Sequence, residues 1–104
     1  MEQAEAYIRQ RALEGGLSLE RLAERLHMSP SQLTRRFQTA YGVPPVRYAA
    51  EARLAQARAL LADADLTLDR IAERCGFQNA YYFSRVFSKS MKMSPSAYRK
   101  TLRV

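Results

Sequence analysis

The sequence predicts an all-α fold, and three observations lead to that prediction. No run of residues alternates between apolar and polar for long enough to suggest a strand. The four glycines and four prolines lie between helical segments, where they would begin or end helices. One pattern occurs twice, and each copy consists of a short helix, a tight turn and a longer helix, which is the helix-turn-helix layout. We therefore expect seven helices that include two helix-turn-helix subdomains.

Each helix is predicted from helical spacing, helix-favouring residues or end signals. The approximate bounds are 2–14, 19–26, 30–41, 45–62, 68–74, 80–91 and 95–102. Five helices follow a residue that can cap their N-terminus, namely Ser18, Ser29, Thr67, Asn79 and Ser94. In the first helix, the apolar candidates for the core are Ala6, Ile8 and Leu13. The long fourth helix follows Pro44 and is rich in Ala, Leu, Arg and Gln, which all favour helix.

The internal repeat aligns the segment that begins at Leu17 with the segment that begins at Leu66. The offset is 49 residues in the short helix and 50 in the longer one, because the second copy gains one residue in the turn. That turn needs a residue that tolerates positive φ, and Gly76 supplies it in the second copy. His27 holds the matching place in the first copy, and histidine is enriched at positive φ. We therefore interpret His27 as a turn residue rather than a ligand.

Composition and charge restrict the classes of function. The formal charge is +7 and the sequence pI about 10.1, a balance typical of nucleic-acid binders. Fourteen of the seventeen basic residues are arginine, which suits phosphate and guanine better than lysine does. With one cysteine and one histidine we expect no disulfide, no metal site and no cofactor. Without a long apolar run or a signal-peptide core, we expect a cytoplasmic protein that does not bind membranes.

The longer helix of each repeat has one apolar face and one polar face. Leu33 and Phe37 in the first copy match Phe83 and Phe87 in the second, and we expect all four in the core. The opposite faces have an arginine at the same position in both copies and no acidic residue. A merely solvated face would normally mix Glu with Lys, whereas Arg, Gln, Ser and Thr suit base reading in a major groove. This helical phase leaves Tyr81 outside and places Tyr82 at the rim.

With these motifs the sequence resembles the DNA-binding domain of the AraC/XylS family of bacterial transcription regulators. The second repeat carries Ile71-Ala72, Gly76-Phe77, the run from Tyr82 to Lys89, Ser94-Pro95 and Tyr98-Arg99, and the connecting helix carries Arg53-Leu54, Ala57 and Leu60-Leu61. The resemblance extends from about Gly16 to Arg99. It implies two homeodomain-like helix-turn-helix subdomains, residues 1–43 and 63–104, joined by a long linker helix, residues 44–62. It also implies that the recognition helices, about 30–41 and 80–91, enter successive major grooves.

The resemblance also implies which side chains contact DNA. The positions expected to read bases are Ser31, Thr34, Arg35, Gln38, Ala80, Tyr81, Ser84 and Arg85. The flanking positions that suit phosphate contacts are Arg36, Thr39, Ser88 and Lys89. A helix over 45–62 would span roughly 27 Å at about 1.5 Å per residue, which is comparable to the roughly 34 Å between successive major-groove positions. The sequence departs from the family at Lys92, where glycine is usual, so this helix end needs another conformation or a positive φ at Lys92.

From the resemblance we expect a sequence-specific transcription regulator that binds double-stranded DNA at the nucleoid and is not an enzyme. RNA polymerase and an effector or dimerisation domain outside this chain are further candidate partners. One alternative is a module that binds nucleic acid without sequence preference or acts as a protein adaptor. Another is a DNA-repair alkyltransferase, since similar modules occur fused to such enzymes. That chemistry needs a thiolate beside a base, and Cys75 has no such neighbour in the sequence and matches the core position Leu26.

Overall fold

A computed structural model of the chain describes residues 1–102, and over that range all its regular secondary structure is helical. The helices are α1 (Glu2–Glu14), α2 (Leu19–Arg25), α3 (Pro30–Tyr41), α4 (Pro45–Leu61), α5 (Leu68–Arg74), α6 (Ala80–Met91) and α7 (Pro95–Thr101). The predicted bounds agree with these to within one residue at each end. The predicted all-α fold with seven helices is thus confirmed for the described part of the chain.

The chain divides into two compact units whose boundary falls between Ala52 and Arg53, within α4. The first unit contains α1, α2, α3 and the beginning of α4. The second contains the rest of α4 together with α5, α6 and α7. The division of the chain into residues 1–43, 44–62 and 63–104 stays a prediction, and positions 103 and 104 lie outside the described residues.

Side-chain caps begin five of the helices at the predicted residues. Each cap accepts a backbone N–H from the third residue after it, and the caps are Ser18, Ser29, Thr67, Asn79 and Ser94. At α3 the cap is reciprocal, because the Ser29 N–H donates to Gln32 Oε1 at 2.9 Å and the Gln32 N–H donates to Ser29 Oγ at 3.1 Å. Loss of such a cap typically costs about 1 kcal/mol. The caps fix where α3 and α6 begin.

The core of the first unit is one apolar cluster contributed by α1, α2, α3 and α4. Its buried members are Ala4, Ile8, Ala12, Leu22, Ala23, Leu33, Phe37 and Ala49. Ile8 was predicted correctly, but the other two candidates in α1 were wrong, because Ala6 is exposed and Leu13 is only half-buried. The buried residues of α1 are spaced four apart, and Ala6 lies two positions from the nearest of them, which turns it about 200° away from that face.

Aromatic rings from α3 and α4 complete this core. The Phe37 ring lies 4.7 Å from the Tyr41 ring and 5.3 Å from the Tyr48 ring, centroid to centroid. The Tyr48 hydroxyl donates a hydrogen bond to the Glu5 carboxylate, which also pairs with Arg9. The hydrogen bond to Glu5 raises the pKa of Tyr48, and burial of the ring raises it further. The bond ties the beginning of α4 to α1 and so steadies the helices beneath α3.

The second unit repeats the core of the first at the aligned positions. Ile71, Ala72, Phe83 and Phe87 are buried where Leu22, Ala23, Leu33 and Phe37 are buried in the first unit. The Phe83 and Phe87 rings meet edge to face at 5.7 Å, and Phe87 meets Tyr98 at 5.5 Å. The predicted core faces of α3 and α6 are therefore confirmed, and their opposite faces are turned away from the core.

Arg99 connects α7 to the loop that follows α4. Its Nε donates to the carbonyl of Leu61 at 3.1 Å, and its Nη2 donates to the carbonyls of Asp63 at 3.1 Å and Leu66 at 2.7 Å. The guanidinium thus satisfies the carbonyl of Leu61, which the end of α4 leaves without a helical partner, and binds two carbonyls of the loop that follows. One side chain therefore holds the approach to α5 in place.

Four positions with positive φ terminate or connect the helices of the two repeats. Gly76 has a φ of 82° and His27 a φ of 56°, so both turn residues adopt the predicted conformation. Gly42 ends α3 at φ 81°, and Lys92 ends α6 at φ 62°. The sequence left open whether this helix end adopts another conformation or places Lys92 at positive φ, and the positive φ is correct. Lys92 keeps the helix end and accepts a left-handed conformation that glycine would adopt more easily.

Candidate nucleic-acid interface

The outer face of α3 is exposed and bears most of the polar residues predicted for the first repeat. Because Leu33 and Phe37 are fully buried, the residues on the opposite side of the helix face solvent. They line a shallow open groove along the helix formed by Pro30, Ser31, Thr34, Arg35, Gln38 and Thr39. The structure thus brings together the four predicted base-reading residues of this helix, with the predicted phosphate contact Thr39 beside them.

Two predicted phosphate contacts on α3 have different surroundings. Thr39 lies in the groove, and its hydroxyl donates to the Arg35 carbonyl at 3.0 Å, so it keeps only acceptor capacity for another group. Arg36 is exposed but lies apart from the groove, beside Met28 and the first residues of α1. Its guanidinium can reach a DNA backbone that passes along the flank of α3, whereas the other predicted contact residues of α3 line the groove itself.

The outer face of α6 is dominated by Tyr81 and Arg85. Tyr81 is 71% exposed, which confirms the predicted phase of this helix, and Tyr82 is 51% exposed beside Phe77, as its rim position predicted. Arg85 Nη1 donates a hydrogen bond to the Tyr81 hydroxyl at 3.1 Å, and its guanidinium carbon lies 5.7 Å from the centre of the Tyr81 ring. Tyr81 therefore holds the Arg85 side chain in one direction on an otherwise open face.

The sequence reasoning missed this pairing, although the spacing contained the signal. Residues four apart on a helix lie one above the other, so an aromatic residue at position 81 and an arginine at position 85 can meet. Stacking of a guanidinium on an aromatic ring contributes about 0.5–1 kcal/mol at exposed sites. The pair thus has a structural reason to form in the free protein.

The remaining predicted residues of α6 are less accessible than their partners on α3. Ala80, Ser84 and Ser88 are half-buried, and Ala80 packs against the core of the second unit. Lys89, by contrast, is exposed near the end of the helix. Long side chains therefore dominate what this face presents, and the small residues between them allow close approach of a partner.

The electrostatic character of both faces is positive. Neither α3 nor α6 contains an aspartate or glutamate. Among the described residues, the ion pairs join Arg9 to Glu5 and Arg47 to Glu51, and both lie outside these two helices. The guanidinium groups of Arg35 and Arg85 therefore keep their charge available for an anionic or hydrogen-bonding ligand.

Other kinds of site are poorly supported in the described part of the chain. Residues 1–102 contain no group of three or more His, Cys, Asp and Glu side chains placed to hold a metal ion. Cys75 is fully buried, and burial raises the pKa of its thiol to about 11, so it is protonated at neutral pH. Across the same residues, none of the helices has the length and apolar character needed to cross a membrane.

Comparison with known proteins identifies the family. Residues 22–101 match the family model described as a helix-turn-helix domain. The C-terminal domain of AraT, a response regulator from Geobacillus stearothermophilus, superimposes with a TM-score of 0.87 at 35% identity over 96% of this chain and 83% of that domain. The chain belongs to the AraC/XylS family, as a DNA-binding domain. The predicted resemblance and the fold of two helix-turn-helix subdomains are thereby confirmed.

Two further relatives are informative about this AraC-type domain. The DNA-binding domain of AdpA, a global transcriptional factor solved in complex with a target DNA, has a TM-score of 0.86 at 31% identity, covering 98% of this chain and 91% of that one. The MmsAB operon regulatory protein of Pseudomonas aeruginosa is 37% identical over 98 residues, which are 94% of this chain and 32% of that protein. The chain thus spans about a third of the length of the curated relatives that it matches.

Proposed function

We propose that this AraC-type domain is the DNA-reading part of a sequence-specific transcription regulator, and that α3 and α6 each enter a major groove. The observation that carries the proposal is the pair of matching outer faces. Each is exposed, lacks acidic residues and presents an arginine at the aligned position, Arg35 or Arg85. Arginine can donate two parallel hydrogen bonds to the O6 and N7 atoms of guanine, the commonest base-specific contact in a major groove.

Residues next to each arginine support the same assignment. Gln38 can pair with adenine, and Ser31, Thr34 and Ser84 can adapt to several bases. Tyr81 can pack on a thymine methyl group, or its hydroxyl can donate to a phosphate while it still accepts from Arg85. Arg36, Ser88 and Lys89 would fix the position of the domain through phosphate contacts, which contribute affinity without sequence information. Thr39 would join them once its hydroxyl turns from the Arg35 carbonyl and donates to a phosphate oxygen.

If the two helices occupy successive major grooves, the DNA site must be long enough to contain both contacts. Successive positions on one side of B-DNA are separated by about 10 base pairs. A site that contains two blocks of preferred sequence at this spacing would agree with the expectation. A single short block would assign base reading to one helix only.

A selection of binding sites from random duplex DNA, followed by measurement of the dissociation constants of variants, tests this function. Arg35→Ala and Arg85→Ala should each weaken binding to the selected site by about 1–3 kcal/mol and relax the preference at one block of bases. Arg9→Ala removes the same charge from an arginine that is paired with Glu5, and it serves as the control. If both recognition variants bind the selected site as the parent does, base reading by these faces is wrong.

Partners and catalysis are narrower parts of the same proposal. We propose no catalytic role for Cys75, because a buried thiol with its pKa at about 11 is a poor nucleophile. The operon regulators to which this chain is similar are about three times longer than it. An effector or dimerisation domain outside this chain, RNA polymerase as a partner and action at the nucleoid accord with this role.

A further inference from the structure

Three arginines and one tyrosine converge at the junction of α1 and α2. Tyr7 and Arg11 come from α1, Arg21 and Arg25 come from α2, and together they line a half-enclosed cleft of about 270 Å³. The cleft lies entirely within the first unit. None of its four lining residues belongs to the set predicted to contact DNA.

The cleft gathers positive charge around a single ring. The guanidinium carbon of Arg11 lies 5.8 Å from the centre of the Tyr7 ring, and that of Arg25 lies 6.0 Å from it. Within residues 1–102, no carboxylate lies within ion-pair distance of Arg11, Arg21 or Arg25. Like charges held close together repel one another, so the arrangement is most favourable when an anion lies between them.

Ordinary helix energetics accounts for two of the three arginines. Arg11 and Arg25 are in the last turns of α1 and α2, where a cation is favoured by the helix dipole. Arg21 is in the first turn of α2, where the same dipole disfavours a cation. It lies four residues before Arg25 on the same side of α2, so both guanidinium groups face Tyr7 and Arg11 across the cleft although the helix dipole disfavours Arg21.

We propose that Tyr7, Arg11, Arg21 and Arg25 form a binding site for a phosphate group. Guanidinium groups bind phosphate oxygens with two parallel hydrogen bonds, and the Tyr7 ring supports two of these groups by stacking. The phosphate belongs either to the backbone of bound DNA or to a small free anion, since the same chemistry recognises both. In the first case the site adds a contact to the proposed function, and in the second it is independent of it.

The second unit provides an internal control for this site. At the offset of 49 residues, Arg70 and Arg74 on α5 match Arg21 and Arg25 on α2. The positions that match Tyr7 and Arg11 are Gln56 and Leu60, so the aligned place has neither a ring nor a third arginine. If paired arginines on a short helix were sufficient, both units would bind phosphate alike.

The first arm of the test uses inorganic phosphate and no DNA. The side-chain Nε–Hε signals of the arginines are followed by NMR while phosphate replaces chloride at constant ionic strength. We expect saturable shifts at Arg11, Arg21 and Arg25, and none at Arg9 or Arg74. Arg21→Ala should weaken phosphate binding about tenfold or more, because a charge-assisted hydrogen bond is lost, while Arg70→Ala leaves it unchanged.

The second arm uses a DNA duplex and varies the salt concentration. If a backbone phosphate occupies the cleft, Arg21→Ala lowers the slope of log K against log salt by about one. Arg70→Ala is the control and should leave the slope unchanged, because Arg70 does not line the cleft. If phosphate shifts the three signals but Arg21→Ala leaves the slope unchanged, the site binds a free anion. If Arg21→Ala lowers the slope, a backbone phosphate of DNA occupies the site. The proposal is overturned if phosphate leaves the three signals unmoved and Arg21→Ala leaves the slope unchanged. The phosphate arm contains no DNA, so its result does not depend on the proposed function.

Discussion

Removal of one hydroxyl group tests whether Tyr81 prepares Arg85 for DNA. Tyr81→Phe keeps the ring on which the guanidinium stacks at 5.7 Å and deletes only the acceptor of the 3.1 Å hydrogen bond. An arginine held in one direction in the free protein loses less conformational entropy when it contacts a base. Immobilisation of such a side chain costs about 0.5–1.5 kcal/mol at an interface.

The expected magnitude follows from how exposed this pair is. An intramolecular hydrogen bond contributes about 0.5–1.5 kcal/mol net, and an exposed pair such as this one should lie near the lower end. We therefore expect Tyr81→Phe to weaken binding to the selected site by about 0.5–1 kcal/mol, or roughly two- to fivefold. Tyr81→Ala should cost more, because it also removes the stacking.

The assay is a double-mutant cycle measured by fluorescence anisotropy with the selected duplex. Tyr82→Phe is the matched control, since Tyr82 is its exposed neighbour and its hydroxyl has no hydrogen-bond partner within the described residues. If Tyr81 acts through Arg85, Tyr81→Phe should have almost no effect in the Arg85→Ala background. The reasoning is refuted if Tyr81→Phe costs the same with and without Arg85, or if it strengthens binding.

Three further predictions concern stability and reactivity. Lys92→Gly should raise the free energy of unfolding by about 0.5–1 kcal/mol in urea titrations, because φ at this position is 62°. Gly42→Lys at the matching helix end should lower the free energy of unfolding. Changes of the opposite sign would contradict the role of positive φ. Arg99→Lys should destabilise the second unit by about 2 kcal/mol in the same titrations, since an ammonium cannot repeat the three hydrogen bonds of the guanidinium to backbone carbonyls. A loss below about 0.5 kcal/mol would show that these bonds contribute little. At pH 8 the thiol of Cys75 should react with iodoacetamide at least about 100-fold more slowly in the folded protein than in urea. Burial raises the pKa of the thiol to about 11 and keeps it protonated. Equal reaction rates in the two states would contradict the burial of Cys75.

Most of the fold could be predicted because its signals are local. Ser29 with Gln32, and Asn79 before α6, mark helix beginnings through short-range hydrogen bonds that any such sequence can form. The repeat then checks each half against the other, and Phe83 and Phe87 fix the phase that leaves Tyr81 outside. Local signals and repetition thus determine the helices and their outer faces.

The errors and omissions lie where the predicted repeat and the caps did not reach. The repeat was aligned only from Leu17 onward, so the matching positions of α4 were not used to set the phase of the first helix, and Ala6 was placed on the wrong face. The cleft around Tyr7 was not predicted, because the meeting of α1 with α2 depends on how two helices pack rather than on spacing within either one. The contacts of Arg99 with three carbonyls are likewise tertiary, over separations of 33 to 38 residues.

The most direct test of the central claim is the ratio of affinities for the selected site and for a scrambled duplex, measured at one salt concentration. The parent domain should prefer the selected site by about a thousandfold or more. The double variant Arg35→Ala/Arg85→Ala should reduce that preference by about thirtyfold or more, since each contact contributes about 1–3 kcal/mol. Arg9→Ala/Arg47→Ala, which removes the same charge from two ion-paired arginines, should leave the preference unchanged. A parent ratio near one, or a double variant that keeps the full preference, would contradict base reading by α3 and α6.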